Sequence, residues 1–158
     1  MPKAFFITGT DTDAGKTLVT SGLLAAARRR GLTTAGGKPV ASGCEWGVEG
    51  LRNADALAIQ AQCRPALDYD TINPVAFEPA IAPHIAAAEA NVALSVSALA
   101  APMRALLTCR AADLTLIEGA GGWRVPLNER ESLSDLVVAL ALPVIVCLLY
   151  TSPSPRDA

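Results

Sequence analysis

The chain has 158 residues, room for one domain of about 100–200 residues. Apolar residues make up 51% of it and the mean hydropathy is +0.35, which excludes a disordered chain. A net charge of -2 and a pI of about 5.3 give no electrostatic footprint for nucleic acid.

Lys3 to Thr8 reads as a short buried strand, because Phe5, Phe6 and Ile7 follow one another without a polar break. Its apolar run is too short for the core of a signal peptide. Gly9 to Gly15 is a Gly-bearing loop. Lys16 to Arg30, rich in Leu and Ala, predicts a helix that Gly31 stops, with Arg28-Arg29-Arg30 complementing the dipole at its end. Thr33 to Val40 predicts a second strand, weakened by Gly36 and Gly37, and Ala41 to Gly50 a polar loop. Arg52 to Gln62 predicts a helix that Asn53 could cap. Arg64 to Pro83 is punctuated by proline and expected to be mostly loop. Ile81 to Asn91 and Ser95 to Arg110 are two further candidate helices. Asp113 to Glu118 predicts a strong strand, followed by the turn Gly119-Ala120-Gly121-Gly122. Ser132 to Leu142 predicts a helix and Pro143 to Leu149 another buried strand. The apolar stretch Leu136 to Tyr150 is broken by Pro143 and falls short of a membrane span. Strands alternating with helices imply an α/β fold with a mainly parallel sheet and flanking helices.

The sharpest chemical signal is Gly9-Thr10-Asp11-Thr12-Asp13-Ala14-Gly15-Lys16-Thr17, between a predicted strand and a predicted helix. Backbone N–H groups of such a loop cradle phosphate oxygens, and the helix N-terminus adds its dipole. Lys16 would reach the terminal phosphates, and the Thr17 hydroxyl would bind Mg²⁺. The glycines stand one residue farther apart than in the standard phosphate loop. Glu118, at the carboxyl end of a predicted strand, lies where ligands of parallel sheets bind and could hold Mg²⁺. Lys38, in Lys38-Pro39-Val40-Ala41-Ser42-Gly43, would face the same sheet edge and could stabilise charge on a phosphate or carboxylate. By composition alone, a lysine such as Lys38 is more often a surface residue, and an acid such as Asp55 in a first helical turn usually just complements the dipole. His84, the single histidine, fits a structural or capping role better than a general base. Cys44, Cys63, Cys109 and Cys147 show no C-x-x-C spacing and read as free thiols of a reducing cytosol.

Taken together, these residues resemble the dethiobiotin synthetase family, whose variant phosphate loop has the same wider spacing. The resemblance continues through Lys38 to Gly43, Gly50-Leu51-Arg52-Asn53-Ala54-Asp55-Ala56-Leu57, Pro83-His84 and Glu118 to Trp123, in the family's order. It implies a P-loop nucleotide-binding fold and an ATP- and Mg²⁺-dependent ligase of biotin biosynthesis. The implied reaction closes a cyclic urea on 7,8-diaminopelargonic acid with CO₂, through a carbamate and its mixed anhydride with phosphate. By resemblance, Thr12, Asp13, Ala14, Gly15, Lys16, Thr17 and Leu18 bind the ATP phosphates. Thr17, Asp55 and Glu118 surround the metal, Lys38 is the active-site lysine with Lys16 beside it, and Ser42 contacts the diamine. Glu118, Gly119, Ala120 and Gly121 line the nucleotide site together with Asp55. A cytoplasmic homodimer without nucleic-acid or membrane partners is implied as well.

Three other readings stay open. One is a relative in which the same nucleotide domain drives amide formation on a large corrinoid substrate. Another is a partitioning-type P-loop ATPase switch, against which the loop offers Thr10 and Asp11 where such proteins carry an extra lysine. The third is an inactive truncated fragment. Residues 1–147 are expected to form the N-terminal part of one nucleotide-binding domain, incomplete at its C-terminus, with an exposed sheet edge or face. The Ser/Pro-rich residues 148–158 are expected to be a non-native or disordered tail.

Overall fold

A computed structural model describes residues 2–12, 14–109 and 111–148, with Cys109 described in its backbone only. Strand β1 (Lys3–Gly9) leads through the glycine loop into helix α1 (Lys16–Arg29). Strand β2 (Thr34–Gly37), the short β3 (Val40–Ala41) and a hairpin of β4 (Glu45–Gly47) and β5 (Gly50–Arg52) follow. Helices α2 (Ala54–Gln60) and α3 (Tyr69–Ile72), strand β6 (Val75–Ala76), and helices α4 (Pro83–Glu89) and α5 (Val96–Cys109) come next. Strand β7 (Leu114–Glu118), helix α6 (Leu133–Leu140) and strand β8 (Val144–Cys147) end the described chain.

The central sheet has the order β2-β7-β1-β8, with every pairing parallel. Helices cover both of its faces, and successive residues of β2 report this directly. A Cβ on Gly36 would collide with Ile59 of α2 and lie 3.3 Å from Leu24 of α1. A Cβ on Gly37 would come within 2.8 Å of Met103 and 3.0 Å of Leu106, both of α5. Neighbouring strand residues point to opposite faces, so α1 and α2 cover one face and α5 the other. The two glycines that weaken this strand by propensity are the space into which the helices pack. Phe6, Ile7, Leu116 and Ile117 of the middle strands are buried against Leu24, Ile59, Leu99, Met103 and Leu106. The fold is that of a P-loop nucleotide-binding protein: a mainly parallel sheet between helices, its glycine loop joining the first strand to the first helix.

Several boundaries differ from the sequence reading for identifiable reasons. The predicted second strand, Thr33 to Val40, splits in two, because Pro39 has no N–H to continue a sheet ladder. After Gly37 the chain leaves the central sheet, and Val40 and Ala41 pair instead with Val75 and Ala76. The predicted polar loop at 41–50 contains the β4 strand of a hairpin that continues to Arg52, and the predicted loop at 64–83 contains α3 and β6. Asn53 caps α2 as expected, its side-chain oxygen accepting from the Ala56 N–H at 3.0 Å. At α6, the Asp135 carboxylate accepts from the Ser132 backbone N–H at 2.7 Å, closing a capping box. Strand β8 is one of the sheet's two edges among the described residues, β2 being the other, and exposes Val144 and Val146. Cys44, Cys63 and Cys147 are free and buried, and burial pushes the Cys63 thiol up to about 11. Of the expected tail, residues 149–158 lie outside the described residues, as do Arg110 and Asp13.

Because the Gly36 position has no room for a methyl group, Gly36→Ala should destabilise the fold by about 1–3 kcal/mol. A urea-unfolding midpoint unchanged from wild type would contradict the close packing of α2 on β2.

Candidate active site

Parallel pairing with fixed register gathers the chemistry at one edge of the sheet. Gly37 pairs with Ile117, so the next residues along the two strands, Lys38 and Glu118, emerge side by side. Ile7 pairs with Glu118, so the glycine loop begins two residues beyond, at Gly9. The carboxyl ends of parallel strands are where such sheets bind their ligands.

The loop turns into α1 at Gly15, whose φ of 81° is a left-handed conformation that a side chain would disfavour. Lys16 follows at the first helical position, 4% exposed, and its ammonium donates to the Asp11 carbonyl at 2.7 Å. The side chain therefore folds back across the loop. Burial lowers the Lys16 pKa, and the nearby positive charge of Lys38 lowers it further. Both effects favour an anion at this point, since an anion restores the balance that desolvation and repulsion remove.

Glu118 is 0% exposed. Its Oε1 accepts from the Thr17 hydroxyl at 2.7 Å and from the Lys38 ammonium at 3.2 Å, while its Oε2 is buried without a partner. The Lys38 ammonium also donates to the Gly119 carbonyl at 3.1 Å and lies 3.5 Å from Asp55 Oδ2. Thr17, Lys38, Asp55 and Glu118, drawn from four separate segments, thus form one connected group. A buried carboxylate oxygen with no partner is costly and invites a cation. Among the described residues no group of three or more His, Cys, Asp or Glu converges. What converges is a hydroxyl and two carboxylates, the hard oxygen set that Mg²⁺ takes together with waters and substrate phosphates.

A second network fixes this group from behind. The Lys38 N–H donates to the Ile72 carbonyl at 2.7 Å, and its own carbonyl accepts from the Asn73 amide at 2.8 Å. The Tyr69 hydroxyl donates to Asn73 at 2.9 Å and accepts from the Asn53 N–H at 2.7 Å, at the start of α2. Lys38 and Asp55 are therefore held in register by a buried Tyr–Asn pair. The Arg52 guanidinium lies 4.2 Å over the Tyr69 ring. Nothing in the sequence pattern marks Tyr69 or Asn73.

The group opens on a cleft of about 500 Å³. Of the expected site residues, Thr12, Lys16, Lys38, Ser42, Asp55, Ala120 and Gly121 line it. Ala14 is buried in the loop, Gly119 lies behind the lining, and Leu18 is 79% exposed, turned to solvent. The opposite wall is apolar, Ile81, Ala82 and Pro83 at the start of α4 with Val125 and Pro126, and of these only Pro83 falls in a block that the sequence singled out. His84 faces a separate groove beside Ala87 and Leu127, and its Nδ1 is buried without a partner.

The AAA domain family matches residues 3–157 of the chain. The chain is 62% identical over 143 residues to the ATP-dependent dethiobiotin synthetase BioD of Pseudomonas aeruginosa, covering 90% of this chain and 62% of that protein. It is 63% identical to the protein of the same name from Chromohalobacter salexigens, covering 90% of this chain and 60% of that one. The one from Cellvibrio japonicus is 62% identical, with 91% and 62% covered. The chain thus spans about 62% of the length of the curated relatives it matches.

Lys16→Ala removes an ammonium enclosed by the loop. Charge-assisted contacts contribute about 1.5–3 kcal/mol, so affinity for ATP measured by calorimetry should fall by roughly 10- to 100-fold. An unchanged affinity would remove the loop from the nucleotide site.

Proposed function

The chain belongs to the AAA domain family, and on that premise we propose that it carries the catalytic centre of an ATP-dependent carbon–nitrogen ligase. The reaction is closure of the cyclic urea of dethiobiotin from 7,8-diaminopelargonic acid and CO₂. Identity of 62% with relatives named ATP-dependent dethiobiotin synthetase supports this reading. The observation that carries it is the placement of Lys38 between Glu118 and Asp55, at 3.2 and 3.5 Å, beside the lysine of the glycine loop. A partitioning-type switch has no comparable support.

One amine of the substrate attacks CO₂ and loses a proton, giving a carbamate. A carbamate oxygen attacks the γ-phosphorus of ATP and ADP leaves. The second amine then attacks the carbonyl carbon of the mixed anhydride, and phosphate leaves with the oxygen that joined it to carbon. Carbamate and triphosphate repel each other, so the protein has to supply positive charge where they meet. Lys16 serves the triphosphate from within the loop, along with the backbone of Thr12 and of Ala14 to Leu18. Lys38 serves the carbamate. Ser42 lies on the substrate side of the cleft and offers a hydroxyl to the diamine. The apolar wall of Ile81, Pro83, Val125 and Pro126 suits the methylene chain. Ala120 and Gly121 border the nucleotide, with Glu118 and Gly119 behind them. Mg²⁺ held by Thr17, Asp55 and Glu118 neutralises phosphate charge when bound.

The reading places the enzyme in the cytoplasm as a homodimer, and free buried thiols suit a reducing compartment. Among the described residues no helix is long and apolar enough to cross a membrane.

Phosphate release by the purified protein should require both diaminopelargonate and bicarbonate. Release that proceeds equally without the diamine would defeat the ligase reading. Lys38→Ala should lower kcat by about 100-fold or more, with a smaller effect on the KM for ATP.

A further inference from the structure

We propose that Lys38 is a resident counter-ion which competes with the divalent cation for Asp55 and Glu118, so that cation binding releases Lys38 into the cleft. The inference rests on the metal assignment made above and adds a role for Lys38 that contact with a substrate anion does not require.

Its ammonium makes the contacts a cation between two carboxylates makes. It reaches Glu118 Oε1 at 3.2 Å, Asp55 Oδ2 at 3.5 Å and the Gly119 carbonyl at 3.1 Å. Thr17, the third residue of the assigned set, donates to the same Glu118 Oε1 at 2.7 Å. All three assigned metal-holding residues therefore meet at or next to one lysine nitrogen. Mg²⁺ binds oxygen at about 2.0–2.1 Å and excludes other cations from the same lone pairs. A divalent ion and an ammonium in adjoining contact also repel strongly where water is scarce. The partnerless Glu118 Oε2 offers a divalent ion its entry, but an ion that also takes Asp55 comes up against the ammonium at 3.2 and 3.5 Å, so the two cations cannot both hold Glu118 and Asp55 at full strength.

The backbone of Lys38 does not follow its side chain. Ile72 and Asn73 hold both its N–H and its carbonyl, at 2.7 and 2.8 Å. Only the flexible stem is free to move, and the cleft on which Lys38 borders also holds Ala41 and Ser42. Cation loading thus delivers a positive charge to the substrate side, where the carbamate forms. Lys16 provides the contrast: it shares the cleft, but its ammonium bonds the Asp11 carbonyl at 2.7 Å.

The test is binding of Mn²⁺ alone, without nucleotide, followed by the electron paramagnetic resonance of the free ion. Lys38→Met should bind Mn²⁺ at least about tenfold more tightly than the wild-type chain, because a direct competitor is gone. Lys38→Arg should stay within about threefold of wild type. Lys16→Met removes the same charge without freeing a carboxylate and should gain no more than about threefold. Equal gains from Lys38→Met and Lys16→Met would overturn the inference, since net charge alone would account for them. If Lys38→Met fails to fold, the unaltered chain decides: Mg²⁺ should raise acylation of Lys38 severalfold, measured on its peptide by mass spectrometry. Unchanged or reduced acylation, with Mn²⁺ still bound, would overturn the competition alone. Absence of Mn²⁺ binding in every variant, with and without ATP, would overturn the metal assignment itself.

Discussion

A carboxylate with no solvent exposure, placed at the end of a central strand, has to be neutralised by its neighbours, and Glu118 sets that requirement here. The neighbours that meet it are the ones to which the proposed chemistry assigns roles. Lys38 arrives from the adjacent strand because β2 and β7 run parallel and in register. Thr17 arrives from the first turn of α1, because β1 lies on the other side of β7 and feeds the loop that starts that helix. Moving any one of these strands by a residue would leave a charged group buried alone, which makes the site and the sheet mutually dependent.

The rest of the structure supplies stiffness around that centre. Tyr69 and Asn73 tie the backbone of Lys38 to the start of α2, which carries Asp55. Gly36 and Gly37 let helices from both faces press onto the strand that ends at Lys38. The break at Pro39 then takes the chain out of the sheet, so that Ser42 lines the cleft rather than extending a strand. These features are structural in themselves, and their effect is to hold two lysines and two acids within one cleft.

Much of this was legible in the sequence because it is local. The strand–loop–helix from Lys3 to Arg29, the capped start of α2 at Asn53 and the strand ending in Glu118 each carry their own pattern of apolar runs, glycines and caps. The function reading was legible through several such blocks in order, and Lys38 and Asp55 owe their promotion to that resemblance rather than to spacing. What stayed hidden depends on distant residues meeting. Tyr69 and Asn73 act through hydrogen bonds across 16 and 35 positions of sequence, to Asn53 and Lys38. The apolar wall joins residues near 81 with residues near 125, and no periodicity links them. The hairpin at 45–52 is too short and too exposed to leave an alternating pattern.

If this cleft joins a carbamate to the γ-phosphate of ATP, the oxygen that links carbon to phosphorus comes from CO₂ and leaves with phosphate. The most direct measurement supplies ¹⁸O-labelled CO₂ with ATP and diaminopelargonate and reads the isotope shift of the released phosphate by ³¹P spectroscopy at early times. Phosphate carrying a single ¹⁸O in each turnover is the expected result. Phosphate released without label would mean that water, not a carbamate, attacks ATP, and would contradict the proposed reaction.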